Sequence, residues 1–223
     1  MTSRKLVIVG DSSFAEVAYE YFTHDSDYEV VAFAVENKYL RQSSLCGLPV
    51  VAFEDLPEKY PPTEHEVYVA IVYTQLNRLR TRLMEQARAF GYGLASYVSS
   101  RAFVWRNVAM GEHCFIFEDN TVQPFVQMGN NVVLWSGNHI GHHSRIADNC
   151  FISSHVVISG HCEIGANCFL GVNATLSNNI RVGEDVILGA GALLRKDAEA
   201  DRIYTGVPAE PARISARRYH KVR

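Results

Sequence analysis

The chain has 223 residues, of which 48% are hydrophobic, and a formal net charge of −3 at pH 7. This composition is typical of a globular protein with an apolar core, and so small a net charge gives no reason to expect nucleic-acid binding or membrane insertion. Five cysteines, an odd number, follow an N-terminal apolar run too short for a signal peptide, which favours a cytoplasmic location.

The first part of the chain alternates short apolar runs with amphipathic segments. Residues 5–10, 29–35 and 67–73 read as buried strands, whereas 14–24 and 75–90 have the periodicity of helices. Strands that alternate with helices indicate a parallel sheet covered by helices. We therefore predict a small α/β domain with a Rossmann-like parallel sheet over residues 1–97.

The βα turns of this predicted domain are candidates for substrate binding. Asp11, Ser12 and Ser13 follow the first strand, where the backbone N–H groups of a helix N-terminus can bind phosphate. Glu36 and Asn37 follow the second strand and could bond a ribose or a base. Only one glycine is present where the full dinucleotide fingerprint has three, so an ordinary βα loop is an equally good interpretation.

A six-residue repeat dominates the rest of the chain. Every sixth residue from 104 to 194 is aliphatic or methionine, and the residue that follows it is often small. Three hexapeptides form one triangular coil, so residues eighteen apart stack about 4.8 Å from each other. We predict a left-handed parallel β-helix of hexapeptide repeats over residues 98–200, followed by a short C-terminal tail over 201–223. The repeated positions are Val104, Met110, Ile116, Val122, Met128, Leu134, Ile140, Ile146, Ile152, Ile158, Ile164, Leu170, Leu176, Val182, Leu188 and Leu194.

The cysteines of the repeat have a structural interpretation. Cys114, Cys150, Cys162 and Cys168 share one column of the repeat that holds compact side chains, where a thiol packs as a small hydrophobe. They show no CxxC spacing of the kind that zinc sites use. We expect them to be buried and to bind no metal.

Histidines cluster in one window of the repeat. His139, His142, His143, His155 and His161 lie within 23 residues, and the spacing of eighteen stacks His161 on His143 with His142 beside them. A histidine can take the proton that an attacking amine or hydroxyl loses during acyl transfer. The alternatives are a solvated corner and a zinc site. Because no two histidines are five residues apart, as in three-histidine zinc sites of the carbonic anhydrase class on this scaffold, we expect no metal.

Several segments together carry a resemblance that covers nearly the whole chain. They are the N-terminal KLVIVGDSSFAEV and VYVAIVY, the repeats EIGANCFLGVNATL and VGEDVILGAGALLRKD, and the closing TGVPAEPAR. In these the chain resembles the bacterial sugar acyltransferases of the sialic acid O-acetyltransferase and bacillosamine or perosamine N-acetyltransferase type. The resemblance implies a homotrimer, with acyl-CoA in the groove between adjacent β-helices and the nucleotide of a nucleotide-linked amino sugar on the N-terminal domain.

The resemblance also implies site residues. The base of the family falls on His142, and its acidic partner falls on His143, which is a departure. A further histidine near the thioester falls on Phe151, so that nearby His155 is the candidate replacement. The expected substrate-binding residues are Asp11, Ser12, Ser13, Glu36, Asn37, Asn138 and His139, and the expected acyl-CoA-binding residues are His155, Gly160, His161, Val172, Ala190 and Arg213.

These observations predict an N-acyltransferase, with acetyl-CoA or another acyl-CoA as co-substrate, that acts on a nucleotide-linked amino-deoxy sugar in surface polysaccharide (lipopolysaccharide) biosynthesis. Two alternatives stay open. One is O-acetylation of a sugar hydroxyl at the same site, and the other is a non-catalytic or zinc-binding β-helix.

Overall fold

The computed structural model describes residues 4–207. Its N-terminal part is a six-stranded mixed sheet with strand order β3-β4-β2-β1-β5-β6, in which only the β3–β4 pair is antiparallel. The elements are β1 (Arg4–Val9), α1 (Ser13–His24), β2 (Tyr28–Val35), β3 (Ser44–Leu45), β4 (Leu48–Ala52), α2 (Leu56–Lys59), β5 (His65–Val69), α3 (Arg78–Ala89) and β6 (Gly93–Leu94), with 3₁₀ turns at Asn37–Tyr39 and Phe53–Asp55.

The predictions for this part are confirmed for β1, α1 and β2 and need correction further along. The predicted strand 67–73 already ends at Val69, and the helix predicted from residue 75 begins only at Arg78. The reason is that Gln75, Leu76 and Asn77 all have φ between 49° and 65°, a left-handed conformation that no α-helix contains. The hairpin of β3 and β4 was not predicted.

The repeat forms eighteen two-residue strands. They are β7 (Tyr97–Val98), β8 (Phe103–Val104), β9 (Ala109–Met110), β10 (Phe115–Ile116), β11 (Thr121–Val122), β12 (Gln127–Met128), β13 (Val133–Leu134), β14 (His139–Ile140), β15 (Arg145–Ile146), β16 (Phe151–Ile152), β17 (Val157–Ile158), β18 (Glu163–Ile164), β19 (Phe169–Leu170), β20 (Thr175–Leu176), β21 (Arg181–Val182), β22 (Ile187–Leu188), β23 (Leu193–Leu194) and β24 (Ile203–Tyr204).

These strands form three parallel sheets, which are the faces of a prism. The first face contains β7, β10, β13, β16, β19, β22 and β24; the second contains β8, β11, β14, β17, β20 and β23; the third contains β9, β12, β15, β18 and β21. Up to Leu194, residues eighteen apart pair across successive coils, as Thr121, His139 and Val157 do. All sixteen predicted aliphatic positions are the second residue of a strand. The hexapeptide coil is thus confirmed and is consistent with a left-handed β-helix.

The interior of the prism is apolar along its length. Ile116, Ile152 and Leu170 are fully buried in one core cluster, and the four cysteines of the repeat belong to the same cluster. Each of these thiols donates to a backbone carbonyl fifteen residues further on, in the next coil, so the structural interpretation of the cysteines is supported. The last strand, Ile203–Tyr204, still pairs with Ile187–Leu188. The coil therefore continues past residue 200, where the tail was predicted to begin.

The N-terminal part packs on the first face of the prism through aromatic side chains. Phe14 of α1 contacts Trp135, with ring centroids 5.3 Å apart, and Tyr73 contacts Phe169 at 4.3 Å. Within residues 4–207, no aromatic side chain of the N-terminal part contacts an aromatic ring on the second or third face. No helix in the described part of the chain is long and apolar enough to cross a membrane.

A buried polar network joins the same two parts. Arg80 of α3 is fully buried and donates to the side chain and carbonyl of Asn131, to the Cys150 carbonyl and to the Ile71 carbonyl. Burial lowers the pKa of Arg80 to about 10, so that the guanidinium is still charged at neutral pH. His113 accepts a bond from the backbone N–H of Val69 and bonds Asn131 through Nδ1. This network fixes the orientation of α3 on the coil.

Candidate active site

The prism has corners between its faces, and one corner carries three histidine side chains. His142 and His143 follow β14, where the second face turns into the third, and His161 follows at the same corner one coil further on. One ring nitrogen of each lies within 4.8 Å of the others, and all three side chains are exposed. We call His142, His143 and His161 the histidine corner. The prediction that His161 stacks on His143 with His142 beside them is confirmed.

The two neighbouring histidines form a hydrogen-bonded pair. The Nδ1 atoms of His142 and His143 are 3.1 Å apart, so one ring donates a proton and the other accepts it. The backbone N–H of His142 donates to Oε1 of Gln123 at 2.9 Å. The ring of His142 lies over Gly160, where a Cβ would stand 2.9 Å from Nε2. Gly160 therefore leaves the Nε2 edge of His142 free of a neighbouring side chain.

A stack of rings holds the other two members of the corner. His143 lies between Phe125, at 4.6 Å, and His161, at 4.9 Å, with interplanar angles of 28° and 15°. His143 and His161 have φ near 60°, and the backbone N–H of His161 donates to the carbonyl of His142. The rings are thus presented by a backbone that the coil itself fixes. Phe125 and Gln123 were not predicted, although the spacing of eighteen places Phe125 below His143.

The other candidate residues of the repeat are divided between corners. His155, Val172 and Ala190 are exposed where the first face turns into the second, a different corner from that of His142. The ring of His155 packs on Gly137, where a Cβ would lie 2.5 Å from Nδ1. Val172 lines a hollow of about 220 Å³ together with Val72, Tyr73, Trp135, Phe151, Ser153 and Ser154. Gly160 and His161 lie at the histidine corner instead.

Two candidate residues precede the histidine corner in β14 and the turn before it. His139 is partly exposed on the second face, between Thr121 and Val157. Asn138 is 1% exposed, its Oδ1 accepts the backbone N–H of Val156, and its Nδ2 donates to the carbonyl of Trp135. The side chain of Asn138 is therefore engaged within the coil.

The N-terminal candidates lie together at the carboxyl ends of β1 and β2, which pair in parallel. Asp11, Ser12 and Ser13 are at least partly exposed, and Ser12 makes no side-chain capping bond with α1. Asn37 is exposed, and its backbone N–H donates to Glu54. The α1 N-terminus is thus available to an anion such as phosphate.

Glu36 has a partner that the sequence analysis did not predict. Both of its oxygens accept from Arg82 of α3, at 3.0 and 2.9 Å. Hydrogen bonding to Arg82 holds the pKa of Glu36 below its usual value. A ribose could bond Glu36 only by sharing it with this guanidinium. No sequence signal pointed to Arg82, because 46 residues separate it from Glu36. Arg213, one of the expected acyl-CoA-binding residues, lies outside the described residues.

Comparisons with known proteins agree with this architecture. The sequence profile of the bacterial transferase hexapeptide family (six repeats) matches residues 125–160 and 161–196. No curated protein matches the chain significantly.

Among solved structures, the acetyltransferase domain of PglB from Neisseria gonorrhoeae has a TM-score of 0.83 and 26% identity, with 94% of this chain and 100% of that chain covered. A histidine-to-asparagine mutant of perosamine N-acetyltransferase from Caulobacter crescentus, in complex with CoA and GDP-perosamine, has a TM-score of 0.83 and 26% identity, with 92% and 95% covered. WeeI from Acinetobacter baumannii shares the fold, with a TM-score of 0.70, 19% identity, and 92% and 98% covered. The resemblance is thus confirmed: the chain matches the hexapeptide-repeat model over residues 125–196 and has the architecture of bacterial sugar acyltransferases.

Proposed function

We propose that the protein is an acyl-CoA-dependent N-acyltransferase that moves an acetyl group to the amino group of a nucleotide-linked amino-deoxy sugar. The observation that carries the proposal is the hydrogen-bonded pair of His142 and His143 at an exposed corner of the coil. Its support is the 26% identity, over nearly the whole chain, to a perosamine N-acetyltransferase in complex with CoA and GDP-perosamine. The setting we propose is cytoplasmic surface polysaccharide biosynthesis.

In this proposal the chemistry needs one base. The amine nitrogen bonds the thioester carbonyl carbon, the C–S bond breaks, and the sulfur leaves as the CoA thiolate. With the Nδ1 proton of His142 donated to His143, Nε2 of His142 has the lone pair that takes the proton of the amine. The same proton then neutralises the thiolate. Gly160 leaves room for the reacting groups at that nitrogen.

His143 occupies the position of the carboxylate expected from the resemblance. A neutral imidazole can fix the tautomer and orientation of His142, as a carboxylate does in a catalytic triad. It supplies no negative charge to the imidazolium that forms. The ring stack of Phe125 and His161 holds His143 in place, so orientation is the contribution that the geometry supports.

The acceptor side of the proposed site is the N-terminal part, which we propose to be Rossmann-like. The uncapped start of α1, with Asp11, Ser12 and Ser13, offers backbone N–H groups to the phosphates. Glu36, Asn37 and Arg82 lie at the neighbouring strand end, where Arg82 adds a positive charge. His139, partly exposed on the second face, is proposed to contact the sugar, whereas Asn138 stabilises the turn before it.

The acyl-CoA side and the acceptor side come together in a homotrimer. The N-terminal part covers the first face, whereas His142 lies between the second and third faces. The second face exposes Phe103, Val157 and Leu193, whose exposed fractions are 53%, 37% and 63%. Thr121, His139 and Thr175 lie between these residues in the same column, and we propose that a second copy covers this mixed face. Acyl-CoA would then lie between copies. It would contact Gly160 and His161 at the histidine corner, and His155, Val172 and Ala190 at the corner where the first face turns into the second.

A thiol-release assay tests the activity. The purified protein is mixed with acetyl-CoA and a panel of nucleotide-linked 3-amino and 4-amino sugars, and free CoA is measured over time. We expect CoA release that depends on one amino sugar, with an N-acetylated product by mass spectrometry. Matched sugars with a hydroxyl in place of the amine serve as controls. Acetylation of the hydroxyl sugar alone would overturn the N-acyltransferase proposal in favour of O-acetylation.

A further inference from the structure

The histidine corner has a property that acyl transfer does not require. In the part of the chain that the structure describes, it is the one group of three or more metal-ligating side chains whose ligand atoms converge. It contains three imidazoles and no carboxylate or thiolate. A base and its orienting partner account for His142 and His143, whereas stacking on His143 would not by itself require the third ring to be an imidazole with a nitrogen facing the other two.

The distances within the corner suit a transition metal. Zinc binds imidazole nitrogen at about 2.0–2.1 Å, so two ligands of a tetrahedral site lie about 3.3 Å apart. The Nδ1 atoms of His142 and His143 are already 3.1 Å apart. The nitrogen of His161 lies within 4.8 Å of both, and all three rings are exposed, so small rotations about χ1 and χ2 would bring the three nitrogens to zinc-ligand spacing.

The backbone beneath the rings is rigid. His161 donates its N–H to the carbonyl of His142, and Asn179 continues the same column by bonding the carbonyl of Gly160. Ligands built on such a fixed backbone lose little conformational entropy on binding. Three histidines with an open fourth position are also the ligand set of catalytic zinc sites.

We propose that the histidine corner binds one Zn²⁺ ion per chain through His142, His143 and His161. The sequence predicts no metal site because it has no pair of histidines five residues apart. The corner instead joins two adjacent histidines to one stacked from the next coil.

Zinc bound at this corner would prevent His142 from acting as the proposed base. An imidazole that binds metal through Nδ1 keeps its proton on Nε2 and can only donate there. His142 could then take no proton from an amine. This consequence rests on the proposed function, whereas metal binding itself does not.

Calorimetric titration of the metal-stripped full chain with zinc chloride tests the site. We expect one ion per chain, and a tetrahedral absorption spectrum when Co²⁺ replaces zinc. His143→Asn and His161→Asn should each weaken zinc binding by about 10–100-fold or more. Loss of a residue that only hydrogen-bonds a metal ligand already costs about 10–100-fold in affinity, and these residues would be ligands themselves. Asparagine suits these positions because Asn167, Asn173 and Asn179 hold the same φ near 60° elsewhere in the coil.

His24→Asn is the matched control, since His24 is an exposed histidine on α1 outside the histidine corner. Absence of saturable zinc binding, or equal affinity in the His161→Asn and His24→Asn proteins, overturns the site. The activity assay answers a separate question. Inhibition by zinc that a chelator reverses supports both the site and the base, whereas zinc binding without inhibition leaves the site standing and refutes the role of His142.

Discussion

The proposed base gives the most direct test of the mechanism, through the substitution His142→Asn. Asparagine keeps the backbone N–H that donates to Gln123 and can still bond His143, but it cannot take a proton. The change therefore isolates proton transfer from positioning. A positioned general base contributes about 10²–10⁴-fold, and the lower limit corresponds to about 2.7 kcal/mol of transition-state stabilisation.

We therefore expect kcat to fall by at least about 10²-fold. KM for acetyl-CoA should stay close to the wild-type value, because the ring is not assigned to hold the cofactor. The measurement is the initial rate of CoA release at saturating acceptor, with acetyl-CoA varied. The His24→Asn protein, which removes an exposed histidine on α1, should keep the wild-type kcat.

One result would refute the assignment. If the His142→Asn protein keeps more than about a third of the wild-type kcat, the residue supplies less than about 0.7 kcal/mol and is not the base. Amines beside electron-withdrawing groups can lose their proton near neutral pH, as α-amino groups do at about 7.7–8.0. Catalysis would then rest on positioning of a neutral amine.

Four further outcomes are expected. In His143→Glu the acid limb of the kcat pH profile should move up by at least about one pH unit, because a nearby carboxylate favours the protonated imidazole; an unmoved limb contradicts the pairing. Arg80→Ala should lower the free energy of unfolding in urea by at least about 3 kcal/mol, because several buried carbonyls lose their donor. Burial lowers the pKa of His113 to about 3, below its unfolded value near 6.5, so that the unfolded chain binds the extra proton. Stability should therefore fall by up to about 1.4 kcal/mol per unit as the pH drops from 6 to 4, and less in His113→Gln. Light scattering should give three times the 25.0 kDa chain mass, and a stable monomer would exclude a shared active site.

The repeat could be predicted from sequence almost completely, for a physical reason. Each hexapeptide hydrogen-bonds the one eighteen residues on, so one interior position recurs every six residues and any slip would expose it. The same spacing predicts that His161 stacks on His143, as it does in the coil. It also reaches Phe125, eighteen residues before His143, whose ring completes the stack.

The N-terminal part was predictable only where a local pattern decides the structure. The helix that was predicted from residue 75 fails because three successive residues, Gln75 to Asn77, take left-handed backbone angles that composition does not indicate. Arg82 forms its ion pair with Glu36, 46 residues away. Arg80 hydrogen-bonds Asn131, 51 residues away. The first pairing arises from packing within the N-terminal part and the second from its packing on the coil, and neither leaves a periodic trace in the sequence.

The buried network also bears on how the proposed site is assembled. The proposed acceptor-binding residues are on the N-terminal part, which covers the first face, and the proposed base His142 lies at the corner of the other two faces. A hinge could bring them together only by breaking the bonds of Arg80 to Asn131 and Cys150 and exposing Phe14 and its aromatic partners. Each unpaired buried group would cost about 1–3 kcal/mol, in addition to the apolar area exposed. A rigid chain with a separated base and acceptor site is complete only when a second copy supplies the missing half, so trimer formation and activity should be lost together.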